Sequence, residues 1–334
     1  MDCYNIVHKE IHIGTSKQLD NKNIMFCGDS KYFKYIGVTL TSVVESNSDS
    51  NFVFHIICDD VEDDDINRFQ KIAKKYRCTI NLYLIETAYI AELQKAVNKE
   101  SHINVAGLFR IIGFSILEKT VDKVLYMDAD ILVVGSINEF WKHSLDENEA
   151  IVIQDDTGTQ EAKRVGVEKY FNSGVMFVDL RKWNAKKNTE KCLQLLFSDK
   201  KWIFVDQDVL NIVLNGYCKW FAPKYNCLYN LNRVLLNKYI VLPDFPVIYH
   251  FIGATKPWHK CAYNDAVVKE YMRIKTISLW FDNKFIDVEE IKDLKHKWTV
   301  FKIMSYQMFR QSKIKSMYYF MKYLKCKVIY KLNL

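Results

Sequence analysis

Residues 122–133 read DKVLYMDADILV. The apolar run Lys123–Met127 stops at Asp128-Ala129-Asp130, and a second apolar run, Ile131–Val134, starts at once. A run this short, apolar after its opening lysine, predicts a strand buried on both faces. In an extended segment residues i and i+2 point the same way, so Asp128 and Asp130 share one side. Two carboxylates so close repel each other unless a cation lies between them. Oxygen-rich sites suit hard ions such as Mg²⁺ or Mn²⁺. A solvated turn rich in Asp has the same spacing, and the motif alone does not separate the two.

Working upstream, Asn23–Cys27 (NIMFC), Asn51–Cys58 (NFVFHIIC) and Cys78–Ile85 (CTINLYLI) are further buried-strand runs. Helical spacing separates them at Tyr32–Val44, Ile66–Tyr76 and Gly107–Leu117. The acids of Asp59–Asp65 suit the start of the second of these, where free N–H groups favour negative charge. Downstream, Ala150–Ile153, Val175–Val178 and Val247–His250 read as strands, Glu190–Leu196 and Val209–Leu214 as helices. Strands alternating with helices predict an α/β fold, a mostly parallel sheet covered on both faces. Ligands in such sheets sit beyond the carboxyl ends of strands. Residues 1–22 are polar without a clear period and read as a loosely held arm.

That rule directs attention to the residues just past each run. His250 ends the run in VIYHFIGATKPWHK, with Gly253, Lys256, Trp258 and His259 close behind. A lone His after a strand is usually a packed or surface residue. Here it would complete an Asp/Asp/His set typical of Mn²⁺, and Lys256 would offer positive charge to a phosphate. Asp206-Gln207-Asp208 precedes an apolar helix and serves either as N-capping acids or as hydrogen-bond partners of sugar hydroxyls. Asn172, in YFNSG, is either a turn residue or an amide directed into a cleft.

Other classes drop out. No GxGxxG opens a helix after the first strand, no GxxxxGK[ST] occurs, and there is no GxSxG elbow. The nine cysteines are odd in number, scattered and without a CxxC, which fits a reducing compartment better than a disulfide framework or thiolate zinc site. The N-terminal MDCYNIVHKEIHIG lacks the unbroken apolar stretch of a signal peptide. Nowhere do about eighteen apolar residues run together, so no spanning helix is expected. The net charge of +7 is uneven: residues 295–334 hold ten Lys or Arg and no acid, leaving the rest at −3. The same segment carries nine aromatics, among them Trp298, Phe301 and Tyr318. Mixed Lys and aromatics suit an anionic membrane surface, or a helical subdomain packing its rings on the body.

Taken in order, IMFCGDSKY, FHIICDD, the Arg110 helix, DKVLYMDADILV, YFNSGVMFVDLRKW, DQDVLN, KYN and YHFIGATKPWHK resemble the family 8 retaining glycosyltransferases. The similarity is greatest to the bacterial branch that adds hexoses to the lipopolysaccharide core, and it runs from about residue 23 to 263. The resemblance implies a GT-A fold over 23–263, with a helical basic extension at 264–334. It implies a UDP-glucose or UDP-galactose donor, a divalent metal (usually Mn²⁺, otherwise Mg²⁺) and a lipopolysaccharide core acceptor. Asp128, Asp130 and His250 match its metal ligands. Cys27, Asp29 and Tyr32 fall where it holds uridine, and Arg110, Asn172 and Asp206 where it holds the donor sugar. Gln207 matches the residue below the anomeric carbon. Lys256, beside Gly253, matches the group that neutralises the diphosphate, and Asp155 lies near an acceptor position. Lys31 departs from the Asn common there. The setting implied is the cytoplasm of a Gram-negative bacterium, at the inner face of the membrane, with residues 295–334 as the contact.

Two other readings start from the same residues. An apolar strand ending in DxD also opens aspartyl-phosphate phosphatases, but those carry it on their first strand. A basic tail suits nucleic acid, but the acidic body and the lack of a binding module predict no such partner.

Overall fold

The computed structural model describes residues 6–14, 21–96 and 105–332. The strands are β1 (Val7–Ile13), β2 (Lys22–Cys27), β3 (Phe52–Cys58), β4 (Thr79–Ile85), β5 (Lys123–Met127), β6 (Ile131–Val133), β7 (Ala150–Gln154), β8 (Phe171–Asp179), β9 (Cys218–Trp220), β10 (Cys227–Leu228) and β11 (Ile248–His250). Eight form one sheet in the order β1-β4-β3-β2-β5-β8-β7-β9, and the rest form a small sheet, β10-β11-β6.

Period-two alternation divides the core in two. Ile24 and Phe26 of β2, Leu125 and Met127 of β5, and Val175 and Phe177 of β8 face one cluster. Met25 and Cys27, Val124 and Tyr126, and Met176 and Val178 face the other. Helices Phe33–Ser46 and Asp63–Tyr76 cover the first face; helices Phe109–Leu117, Asn188–Leu196 and Val205–Val213 cover the second. Burial of both strand faces explains why the centres of these runs are apolar at successive positions.

The structure departs from the sequence reading in several places. Four of the seven pairings in the large sheet are parallel, the expected majority, and the three antiparallel ones make it a mixed sheet. β8 runs against both β5 and β7, and the chain returns beside β7 through residues 155–170, which hold the helix Gly158–Val165. Val7–Ile13, expected within a loose arm, is an edge strand pairing antiparallel with β4. Its outer positions are wet, so its sequence is polar. Residues 1–5 and 15–20 of that arm lie outside the described residues. Helix Val205–Val213 starts four residues before the predicted position, so Asp206 and Gln207 lie in its first turn.

Past residue 263 the chain is helical, as expected. Helices Leu294–Met308 and Lys313–Lys331 form an antiparallel hairpin, with Trp298 against Tyr330 and Ser305 exchanging hydrogen bonds of 2.9 Å with Ser316. Val300, Phe301 and Ile303 pack into the body's core. The second helix leaves Ile314, Met317, Tyr318, Phe320 and Met321 exposed among its lysines. No described helix is long and apolar enough to cross a membrane.

Candidate active site

The junction of the two sheets builds the site. The chain leaves the large sheet at the end of β5, turns through Asp128-Ala129-Asp130, and enters the small sheet as β6. The Thr39 hydroxyl lies 2.8 Å from the carbonyls of both Ala129 and Ile131, fixing this turn from helix Phe33–Ser46. Two registers then deliver the partners. β8 pairs with β5 so that Gly174 stands opposite Asp128, whose N–H donates to the Gly174 carbonyl at 2.9 Å. β11 pairs with β6 so that His250 faces Ile131, and the Phe251 N–H donates to the Asp130 carbonyl at 3.0 Å.

One ligand atom from each of Asp128, Asp130 and His250 lies within 4.8 Å of the others. His250 Nε2 is 3.3 Å from Asp130 Oδ1 and 3.6 Å from Asp128 Oδ2. Asp130 Oδ1 is buried and has no hydrogen bond of proper geometry. His250 Nδ1 lies 3.1 Å from Asn226 Oδ1, an acceptor, so Nδ1 carries the proton and Nε2 presents its lone pair to the carboxylates. Asn226 Nδ2 in turn donates to Asn172 Oδ1 at 3.0 Å, and Asn172 Nδ2 donates to Asp155 Oδ2 at 3.3 Å. This chain of amides fixes the tautomer. Two carboxylates, an imidazole with Nε2 aimed at them and one orphaned buried oxygen fit a divalent cation of the Mn²⁺ or Mg²⁺ kind.

Around the triad, charges are matched. The Arg110 guanidinium reaches Asp128 Oδ1 at 2.9 Å and Asp206 Oδ2 at 3.1 Å, and donates to the Ser173 carbonyl at 2.9 Å. It lies over the Tyr126 ring, 4.6 Å from the centroid, and the Tyr126 hydroxyl donates to Asp128 Oδ1 at 2.5 Å. Burial opposes the Arg110 charge, but Asp128, Tyr126 and Asp206 more than offset it and hold the group above its usual range. Burial raises the Asp206 carboxyl despite Arg110. At Asp130 burial acts upward, but Lys256 and His250 win and hold the carboxyl well below its usual range. Lys256 Nζ lies 2.5 Å from Asp130 Oδ2 and 2.5 Å from the Phe251 carbonyl oxygen.

Beside the triad is a pocket of about 260 Å³ that Cys27, Asp29, Tyr32, Arg110, Asp128 and Asp130 help to line. Burial raises the Cys27 thiol well above its usual value, so it is a neutral wall. Gln207 Oε1 accepts from the Ser173 N–H at 3.0 Å, and Nε2 donates to the Tyr170 hydroxyl at 3.3 Å. Asp208 is an acid of the helix's first turn but does not cap it: its Oδ2 accepts from the N–H groups of Ile203 and Phe204, just ahead of the helix, both at 3.1 Å. It also takes the fork of Arg164 and the hydroxyl of Tyr170. Asn172 is neither a simple turn residue nor free; it lies inside β8 with its amide committed to Asp155, Gly174 and Asn226. Gly253 takes a positive φ of 83° and lines the neighbouring cleft beside Lys256.

The model of Glycosyl transferase family 8 matches residues 23–262. The chain belongs to glycosyl transferase family 8. It is 32% identical to lipopolysaccharide 1,2-glucosyltransferase of Escherichia coli K12, over 86% of each chain. It is 31% identical to lipopolysaccharide 1,3-galactosyltransferase of Salmonella typhimurium, over 78% of this chain and 80% of that one. Among solved structures it is similar to galactosyltransferase LgtC in complex with donor and acceptor sugar analogues. That match has a TM-score of 0.64 at 20% identity, covering 77% of this chain and 96% of LgtC. The expected GT-A architecture is thus the fold of this family 8 enzyme.

Four contributors escaped the sequence reading. Tyr126 and Ser173 hold Arg110, Asn226 orients His250, and Tyr170 holds Gln207. Asn226 had a signal, the KYN element. Tyr126 had one in parity, lying two residues before Asp128 on the same side of the strand.

Proposed function

We propose that this family 8 enzyme is a retaining hexosyltransferase that moves glucose or galactose from a UDP-sugar to a lipopolysaccharide core oligosaccharide. The Asp128–Asp130–His250 cluster beside the pocket of Cys27, Asp29 and Tyr32 carries the reading. In it, residues 23–263 are the catalytic unit. A divalent cation held by Asp128, Asp130 and His250 would supply Lewis-acid stabilisation of the leaving diphosphate. Tyr32, 40% exposed at the pocket mouth, offers its ring face to the uracil. Lys256 neutralises the charge that develops on the β-phosphate. Arg110, Asp206 and Asn172 orient the donor sugar, and Asp155 borders the acceptor.

Gln207 is a neutral amide and a weak nucleophile, which favours attack of the acceptor from the face that UDP leaves. Trapping of a glycosyl-enzyme would overturn that step. The exposed apolar face of helix Lys313–Lys331, interleaved with lysines, supports contact with the inner face of an anionic cytoplasmic membrane. The test of the main reading is UDP release from a panel of UDP-sugars with Mn²⁺, Mg²⁺ or EDTA, with truncated lipopolysaccharide as acceptor. Metal-dependent turnover of one UDP-hexose, lost in Asp130→Asn, is expected; no turnover of any UDP-sugar would defeat the reading.

A further inference from the structure

A second cleft, of about 860 Å³, opens on the other side of Asp130 and Lys256. It is more than three times the volume of the pocket beside the triad and shares Tyr32 and Asp130 with it. One wall is the start of helix Phe33–Ser46, and the other is the start of helix Leu294–Met308 from the C-terminal hairpin. Between them, Tyr35 and Trp258 stack with ring centroids 3.7 Å apart.

The charges are lopsided. Lys31, Lys34, Lys256 and Lys295 line the cleft against two carboxylates, Asp130 and Asp293. Both carboxylates are engaged: Asp130 by Lys256, and Asp293 as the cap that accepts from the His296 N–H at 2.6 Å. Among the described residues no ion pair joins Lys31, Lys34 or Lys295 to an acid, although Lys31 and Lys34 also border a hollow holding Glu62, Asp64 and Asp65. Keeping three like charges around one cavity carries a repulsive cost that an anion inside it removes. Tyr32, Gly253 and Lys256, assigned above to the donor, line one part of this cleft, and Lys34 and Lys295 come from the two helices that wall it.

We propose that this cleft is a binding subsite for a phosphorylated sugar of the acceptor, with Lys34 and Lys295 pairing the phosphoryl group and the Tyr35–Trp258 stack backing the ring. This rests on the reading of the chain as a transferase acting on an oligosaccharide. The C-terminal hairpin then has a part in acceptor recognition, because it supplies Lys295.

The test uses the full chain and a phosphorylated core oligosaccharide released from lipopolysaccharide by deacylation, before and after phosphatase treatment. Calorimetry should show the wild type binding the phosphorylated form at least tenfold more tightly. Lys34→Ala/Lys295→Ala should abolish that difference and Lys34→Arg/Lys295→Arg restore it, while a control, Lys74→Ala/Lys75→Ala, leaves it intact. The KM for the UDP-hexose should stay within twofold in every variant. Equal binding of the two forms by the wild type overturns the proposal. So does a raised donor KM in the Lys34→Ala/Lys295→Ala variant, which would assign the cleft to the nucleotide. If no UDP-sugar turns over, the transferase reading falls, and the calorimetric difference still decides the cleft.

Discussion

Gly174→Ala should disable the triad while leaving every ligand residue in place. A Cβ built at Gly174 would stand 2.3 Å from His250 Cε1, 2.8 Å from His250 Nδ1 and 2.9 Å from Asp128 Oδ2. Ordinary contact begins at 3.4 Å, so the imidazole must retreat by about 1 Å or the strand must move. The strand has little freedom: β8 is paired on both sides, to β5 and to β7. The ring therefore shifts, losing its hydrogen bond to Asn226 and its aim at the carboxylates. Overpacking of this kind costs about 1–3 kcal/mol of stability. A displacement of about 1 Å at a reacting centre costs on the order of 100-fold in rate. Electron paramagnetic resonance of free Mn²⁺ measures the first consequence, UDP release the second, and urea denaturation the third. Wild-type Mn²⁺ affinity in a folded Gly174→Ala protein would refute the claim that close approach to His250 is what requires glycine.

Asn226→Ala removes the acceptor that keeps the His250 proton on Nδ1. It should weaken Mn²⁺ binding about 10- to 100-fold, read in the same titration; an unchanged affinity would deny the relay any role. His55 and His259 are both held neutral by burial, at pKa values of about 3 and about 4 against an ordinary 6.5. The unfolded chain thus binds more protons below pH 6.5. Their contribution is complete above that pH and is lost as pH falls toward 4, by about 1.4 kcal/mol per pH unit for each histidine. In urea denaturation at pH 7, 6 and 5, His55→Gln should flatten the slope by about that amount, and an identical slope would reject the assignment. On the membrane side, Ile314→Glu/Met317→Glu should reduce sedimentation with anionic vesicles at least tenfold without lowering the Tm, since Ile314 is 84% exposed and Met317 61%.

The parts of the fold legible in the sequence obey local rules. Buried strands carry largely apolar runs, interrupted in β3 by His55 and in β4 by Asn81, so β2, β3, β4 and β5 were readable, and the turn after β5 presented its two aspartates. Other parts of the site depend on pairings no local rule contains. Asn172 and Ser173 belong to β8, and their roles come from β8 lying antiparallel beside β5, which puts the Ser173 carbonyl on Arg110. Asn226 acts because β10 pairs with β11, bringing a residue 24 positions away to His250. β1 was missed for the opposite reason: an edge strand with one wet face interrupts its alternation with Lys9, and the run reads as an arm. Spacing left Asp208 open between an acid at a helix start and a sugar partner, and its oxygens are taken up by Arg164, Tyr170 and two backbone N–H groups.

The two cations at the site differ in how they are held, and that difference suits them to different tasks. Arg110 is bound on several sides, to Asp128, Asp206, the Ser173 carbonyl and the Tyr126 ring, and it is nearly fully buried. A planar fork so committed cannot follow a moving group, and removing it would leave two carboxylates uncompensated, at a cost of about 3–5 kcal/mol. Among the described residues the Lys256 ammonium bonds only Asp130 and one carbonyl, on a flexible stem. It stands on the wall shared by Asp130 and the basic cleft. In the proposed reaction, Asp130 would be one of the residues holding a divalent cation and so would not depend on Lys256 alone for a counter-charge. The Lys256 ammonium would then be able to turn toward a phosphate oxygen without leaving an acid unpaired. On that proposal the fixed guanidinium would set the geometry of the donor end, and the lysine would follow the charge as it moves.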